Sequence, residues 1–216
     1  MFWGLGLLFL NLIAPPLVHC DEDSNCYYIP KRALIEKNAV PGLIVLQCYG
    51  ATPGDLDSFK LIADSLNWAL ATCYRSRNHQ NMYLNDAYIY RTVKRFVRRY
   101  PVDSTRIVIY GFSGQGSQAL ATTILHPELF RAVVAVCAPE VAITDRDAPP
   151  LLIDHFIYLV TREKDWNRQS NYEMLERFQS QGAICNLLVT KGEHSIGTLK
   201  EVLTACRWLD KQMKEH

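Results

Sequence analysis

Much that marks a metal, nucleic-acid or membrane protein is missing from this sequence. It contains no His-Glu-x-x-His and no Cys-x-x-Cys pair, which removes the common metalloprotease, zinc-ribbon and thioredoxin-like patterns. Its 23 basic and 22 acidic side chains leave a formal net charge of +1. A balance that even builds no field to gather nucleic acid or an acidic polymer. No Asn-x-Ser/Thr acceptor, internal repeat or low-complexity tract occurs, and neither a metal nor an organic cofactor is implied. What remains is an ordinary globular composition. The 216 residues are 49% hydrophobic and 21% charged, suited to one domain with a full core.

The N-terminal segment has a different character. Phe2 to Ala14 carry no charge and are mostly apolar, and Pro15 and Pro16 break any helix there. The run is shorter than the roughly 20 residues that span a bilayer. It fits an export signal over residues 1–20, with the folded domain over 21–216. The expected location is secreted or extracytoplasmic, periplasmic in a bacterium. Membrane contact is expected only through this segment, if it stays uncleaved. Seven cysteines stand at 20, 26, 48, 73, 137, 185 and 206. Cys48, Cys73, Cys137 and Cys185 lie in or beside apolar strand-like runs, where Cys behaves as a small hydrophobe. One or two disulfides are compatible with this, with the pairing open.

Past the signal, strand and helix patterns alternate. Gly42–Cys48 is a continuous apolar run of the kind buried on both faces of a parallel sheet. Further strands are predicted over Ala69–Cys73, Arg106–Tyr110, Ala132–Cys137, Phe156–Val160 and Ile184–Thr190, with Tyr27–Arg32 as an edge strand. Helices are predicted over Asp55–Trp68, Asp86–Arg99, the stretch ending at Leu125, Tyr172–Gln181 and Thr198–Lys214. Arg91, Lys94, Arg95, Arg98 and Arg99 are expected on the solvated face of the second helix. The βαβα order predicts an α/β fold, a mostly parallel sheet with helices on both faces. Chemistry is then expected at the carboxyl ends of the strands.

Tyr110-Gly-Phe-Ser-Gly-Gln-Gly116 sits between a strand and a helix, the setting of a nucleophile elbow. Gly111 and Gly114 meet the steric need of the turn around Ser113. Gln115 does not, since that position is usually Gly or Ala, so a clash or a helix tilt is expected. The same residues also read as G-x-G-x-x-A, a weak dinucleotide fingerprint. Serine needs a base, and the base an orienting carboxylate. Asp165 follows one strand and His194 the next, in the order Ser, Asp, His, with Glu163 as the substitute acid.

YPVDSTRIVIYGFSGQG, followed by HPELFRAVVAVCA, resembles the extracellular carboxylesterases of the α/β-hydrolase superfamily, the polyhydroxyalkanoate depolymerase-like, feruloyl-esterase-like and dienelactone-hydrolase-like group. The resemblance covers roughly residues 27–214 and implies Ser113 as nucleophile, Asp165 as acid and His194 as base. Where similar enzymes carry His-Gly, this chain has Gln47-Cys48, so Tyr49 N–H is expected to join Gly114 N–H as oxyanion donor. A small-molecule or polymer-borne ester is the implied substrate. The connection 138–155 leaves room for a short lid but no cap domain. Trp166, at the expected mouth of the site, is a candidate substrate-stacking residue. A binding protein on a hydrolase scaffold without turnover, a peptidase and a nucleotide-binding protein are the competing readings.

Overall fold

The computed structural model describes residues 17–141 and 152–216. Its elements are β1 (Leu17–Cys20), β2 (Cys26–Ile29), α1 (Lys31–Glu36), β3 (Val40–Val45), α2 (Pro53–Leu66), β4 (Ala69–Thr72), α3 (Met82–Arg99), β5 (Val102–Phe112), α4 (Gly114–Leu125), β6 (Ala132–Val136), β7 (Phe156–Lys164), α5 (Arg168–Ser180), β8 (Ile184–Glu193) and α6 (Leu199–Glu215). Among the described residues the strands form one eight-stranded sheet in the order β1-β2-β4-β3-β5-β6-β7-β8. β1–β2 and β2–β4 pair antiparallel, and every other pairing is parallel.

The central strands are buried on both faces, and their two-residue period splits the core in two. Ile107 and Ile109 of β5 and Val133 and Ala135 of β6 face one side, with Ile89 and Phe96 of α3, Ala119 of α4 and Phe178 of α5. Val108, Tyr110, Val134 and Val136 face the other, with Phe59 of α2 and Val202 and Leu209 of α6. Each fully buried Leu, Ile, Val or Phe contributes about 1.5–3 kcal/mol, so both helical layers are held chiefly by apolar area.

Several predicted boundaries move, each for a local reason. Helix α3 begins at Met82 because the Asn81 side chain accepts the Tyr83 and Leu84 N–H groups. Helix α5 begins at Arg168, closer to Asp165 than predicted. Pro30 ends β2 and opens the short α1, so the stretch Tyr27–Arg32 is half strand and half helix.

The sheet edge belongs to β1, and Cys20 is disulfide-bonded to Cys26 across the β1–β2 turn. The expected signal segment therefore overlaps the folded domain at 17–20, while residues 1–16 lie outside the described residues. Arg95 is not on a solvated face either. Its guanidinium binds Asp21, Glu22 and Asp23 and clamps the hairpin turn onto α3. Of the expected short lid, residues 142–151 also lie outside the described residues.

Candidate active site

The turn from β5 into α4 is sterically forced. Ser113 has φ 53° and ψ −126°, a conformation that costs an L-residue about 1–3 kcal/mol. A Cβ on Gly111 would lie 2.0 Å from the Gln115 carbonyl oxygen, so only glycine fits. Ser113 N–H donates to Val136 O at 2.8 Å, and Ser113 O accepts Gly116 N–H at 2.8 Å.

Three loops then converge on the hydroxyl. His194 Nε2 lies 2.9 Å from Ser113 Oγ, and His194 Nδ1 lies 2.8 Å from Asp165 Oδ1. The carboxylate fixes the tautomer: Nδ1–H donates to Asp165, leaving Nε2 to accept from Ser113. Asp165 is buried. Burial pushes its carboxyl up, but hydrogen bonds from His194, Asn167 N–H, the Thr161 hydroxyl and the Cys137 thiol outweigh that and hold it below the usual range. Cys137 Sγ lies with the Asp165 and His194 ligand atoms inside 4.8 Å. Burial raises its thiol pKa to about 12, and the thiol donates to Ser195 O at 3.5 Å. Glu163, the substitute acid, is exposed.

The expected clash at Gln115 does not occur. Its side chain is buried, at 1% exposure, against the loop after β4. It accepts from the Ser76 hydroxyl at 2.7 Å and donates to Asn78 Oδ1 at 3.4 Å. The glycine that lets α4 pass the end of β6 is Gly116, whose Cβ would lie 3.0 Å from that of Ala138. Gly114 is packed as well, since its Cβ would meet Asn78 Oδ1 at 2.6 Å. An open phosphate-cradling turn, as the dinucleotide reading requires, is not what these glycines form.

The loop after β3, which lacks His-Gly, is closed by its own turn and by bonds from neighbouring segments. Gly50 has φ +92°, and its N–H closes a turn onto Gln47 O at 3.0 Å. Asn78 N–H donates to Cys48 O at 2.8 Å, and the Cys48 thiol to Phe112 O at 3.5 Å. Burial pushes that thiol above its ordinary pKa, against the opposing Asn78 hydrogen bond. Among the described residues, neither Tyr49 N–H nor Gly114 N–H has an acceptor. Tyr49 itself is 89% exposed. Trp166 lies flat on the His194 ring, with centroids 3.8 Å apart at 18°, so one of its faces is already occupied.

Sequence reasoning missed Arg162. It is 2% exposed and reaches from β7 under the His194 loop. There it binds Glu201 Oε2 at 2.9 Å, Ile196 O at 3.2 Å and Ser195 Oγ at 3.4 Å. Glu201 also accepts Thr190 Oγ1 and Thr198 N–H. Burial pushes the Glu201 carboxyl up, but these bonds and Arg162 bring it below its ordinary range. The visible signal was Thr198-x-x-Glu201, a capping box that opens α6.

Two clefts meet at Ser113. One, of about 540 Å³, runs past Cys48, Tyr49, Phe112 and Ile196. The other, of about 380 Å³, runs past Arg77, Asn78, Gln118 and Trp166.

Neither a protein-family model nor a curated protein matches the sequence. Solved structures do match the fold. An S-formylglutathione hydrolase from Staphylococcus aureus superposes with a TM-score of 0.66 at 13% identity, over 91% of this chain and 95% of that one. A ferulic acid esterase superposes at 0.67 and 16%, over 93% and 96%. The Bacillus cereus carboxylesterase does so at 0.64 and 14%, over 94% and 96%. The chain has the α/β-hydrolase fold, and no cap domain occurs among the described residues.

Proposed function

We propose that this chain is a serine hydrolase that cleaves carboxylic esters through an acyl-enzyme. One observation carries the reading: the unbroken line from Asp165 to His194 to Ser113, at 2.8 and 2.9 Å. Its parts come from three separate strand ends, and a strained φ at Ser113 is maintained to complete it.

In this mechanism Ser113 Oγ attacks the ester carbonyl as His194 Nε2 takes the hydroxyl proton. Asp165 stabilises the imidazolium that forms. The oxyanion is held by the Gly114 and Tyr49 N–H groups, each worth about 3 kcal/mol by analogy with other oxyanion holes. His194 then protonates the departing alcohol. Water attacks the acyl-enzyme with His194 again as base, which releases the acid and regenerates Ser113. The fold of the esterases named above is consistent with this chemistry.

An extracytoplasmic location belongs to the same proposal. It is supported by the uncharged run Phe2–Ala14 and by the Cys20–Cys26 disulfide, which suits an oxidising compartment. A mature N-terminus is then expected before Leu17, because cleavage at residue 20 would remove β1. Intact mass of the exported protein reads this directly.

The enzymatic reading is tested by incubating the protein with a fluorophosphonate probe. One adduct in the wild type and none in Ser113→Ala is the expected result. A folded wild-type protein that takes no label has no activated serine, and a binding role on this scaffold replaces the esterase.

A further inference from the structure

The two clefts at Ser113 differ in charge. The larger contains the aromatic and aliphatic side chains of Tyr49, Phe112 and Ile196 and the carboxylate of Asp55. The smaller is lined by Arg77, Asn78, His79, Gln80 and other polar groups, and no carboxylate lines it among the described residues.

Arg77 is the notable member. Two arginines nearby are neutralised: Arg75 binds Asp23 at 2.8 Å, and Arg95 binds three acids of the β1–β2 turn. No carboxylate reaches the Arg77 guanidinium among the described residues. The loop that presents it is nevertheless built. Asn85 is 3% exposed, and it holds the backbone of Arg77 from both sides. Arg77 N–H donates to Asn85 Oδ1 at 3.1 Å, and Asn85 Nδ2 donates to Arg77 O at 2.9 Å. Gln80 and Gln118 complete the Asn85 amide at 2.6 and 3.3 Å. A buried amide thus fixes the backbone from which one exposed arginine projects at the cleft that Ser113 also lines. The guanidinium of such an arginine suits a carboxylate, which it engages through two parallel hydrogen bonds.

We propose that this cleft binds a carboxylate carried by the ester substrate, with Arg77 as its counter-ion. The preferred substrates are then monoesters of dicarboxylic acids or hydroxy acids acylated on the hydroxyl, each with a free carboxylate. The inference rests on the esterase reading and adds the substrate class.

Two matched pairs of esters test it. In the first, 4-nitrophenyl hydrogen glutarate is compared with methyl 4-nitrophenyl glutarate, placing the charge on the acyl half. In the second, 4-(butyryloxy)benzoate is compared with its methyl ester, placing the charge on the alcohol half. The wild type is expected to favour the charged member of one pair by about 10-fold in kcat/KM, and the pair identifies the half that enters the cleft. The charged-to-neutral ratio should fall to about 1 in Arg77→Met, recover in part in Arg77→Lys, and shrink in 0.5 M NaCl. Circular dichroism checks that each variant is folded, and the ratio cancels any uniform loss of rate. Equal use of charged and neutral esters by the wild type, or a preference that survives Arg77→Met, overturns the substrate class alone. Failure to cleave any of the four esters, together with no fluorophosphonate label, overturns the esterase reading and this inference with it.

Discussion

The turn that carries Ser113 and the loops that serve it are built in opposite ways. The turn is local: Gly111, Ser113 and Gly116 lie within six residues, and backbone sterics within the turn dictate the glycine at 111. The loop at 47–51 closes one internal turn at Gly50, but it and the loop around His194 rest mainly on residues from elsewhere. The first is held by Asn78 and, through it, by Gln115, and the second by Arg162 and Glu201. An active site on this fold can therefore keep a rigid nucleophile while its other parts depend on polar braces from distant strands. The Gln115 substitution illustrates the trade. A side chain that a local rule disfavours becomes a strut between α4 and the loop after β4.

Substitutions on the two sides should behave differently. The largest effect is expected from Gly111→Ala, because the new Cβ would sit 2.0 Å from a backbone oxygen. Urea unfolding should show a loss of more than about 3 kcal/mol, with no fluorophosphonate labelling. Near-normal stability would mean that the turn is not sterically forced. Next comes Arg162→Met, which leaves the half-buried Glu201 without its cation. About 3 kcal/mol of stability should go, and kcat should fall because Ser195 and Ile196 lose their tether. If kcat holds while stability falls, Arg162 does not position His194.

Smaller effects are expected from the Gln115 strut. Gln115→Ala should lower kcat about 10-fold with little change in KM, since it acts on the oxyanion loop and not on ground-state binding. A double-mutant cycle with Asn78→Ala should give less than additive losses, and additivity would separate the two residues.

Acid should also discriminate the braced loops. Asp165 and Glu201 have carboxyls held below their ordinary values of 3.8 and 4.5. Their contribution to stability is present above those values and disappears as pH falls through the lowered folded ones. Unfolding free energy attributable to these two groups should therefore change little from pH 7 to 5 and drop below about 4. A comparison with Glu201→Gln isolates the second group. The smallest effect on activity is expected at the far sheet edge. Replacing Cys20 and Cys26 by Ser should cost about 2 kcal/mol for a loop this short and leave kcat/KM unchanged.

Much of this architecture was legible in the sequence. The run Gly42–Cys48 announced a strand buried on both faces, as β3 is, because parallel central strands bury every side chain. Ser113, Asp165 and His194 could be picked out because each follows a strand in the required order. What escaped notice is of another kind. β1 was absorbed into the apolar N-terminal segment, since four residues carry too short a pattern to stand apart. Arg95 looked like one more charge on a basic helix face, and its clamp depends on acids some 70 residues earlier in the chain.

The sequence by itself determined the sheet, its helical layers and the identity of the nucleophile turn, because those follow from hydrophobic period and from which residues a tight turn admits. Only the tertiary structure decided that Gln115 is a strut, that Arg162 underlies the His194 loop and that Arg77 stands unpaired beside Ser113. Each of these depends on which charges and amides meet across separate strands, and pairing at a distance leaves no periodic trace in the chain.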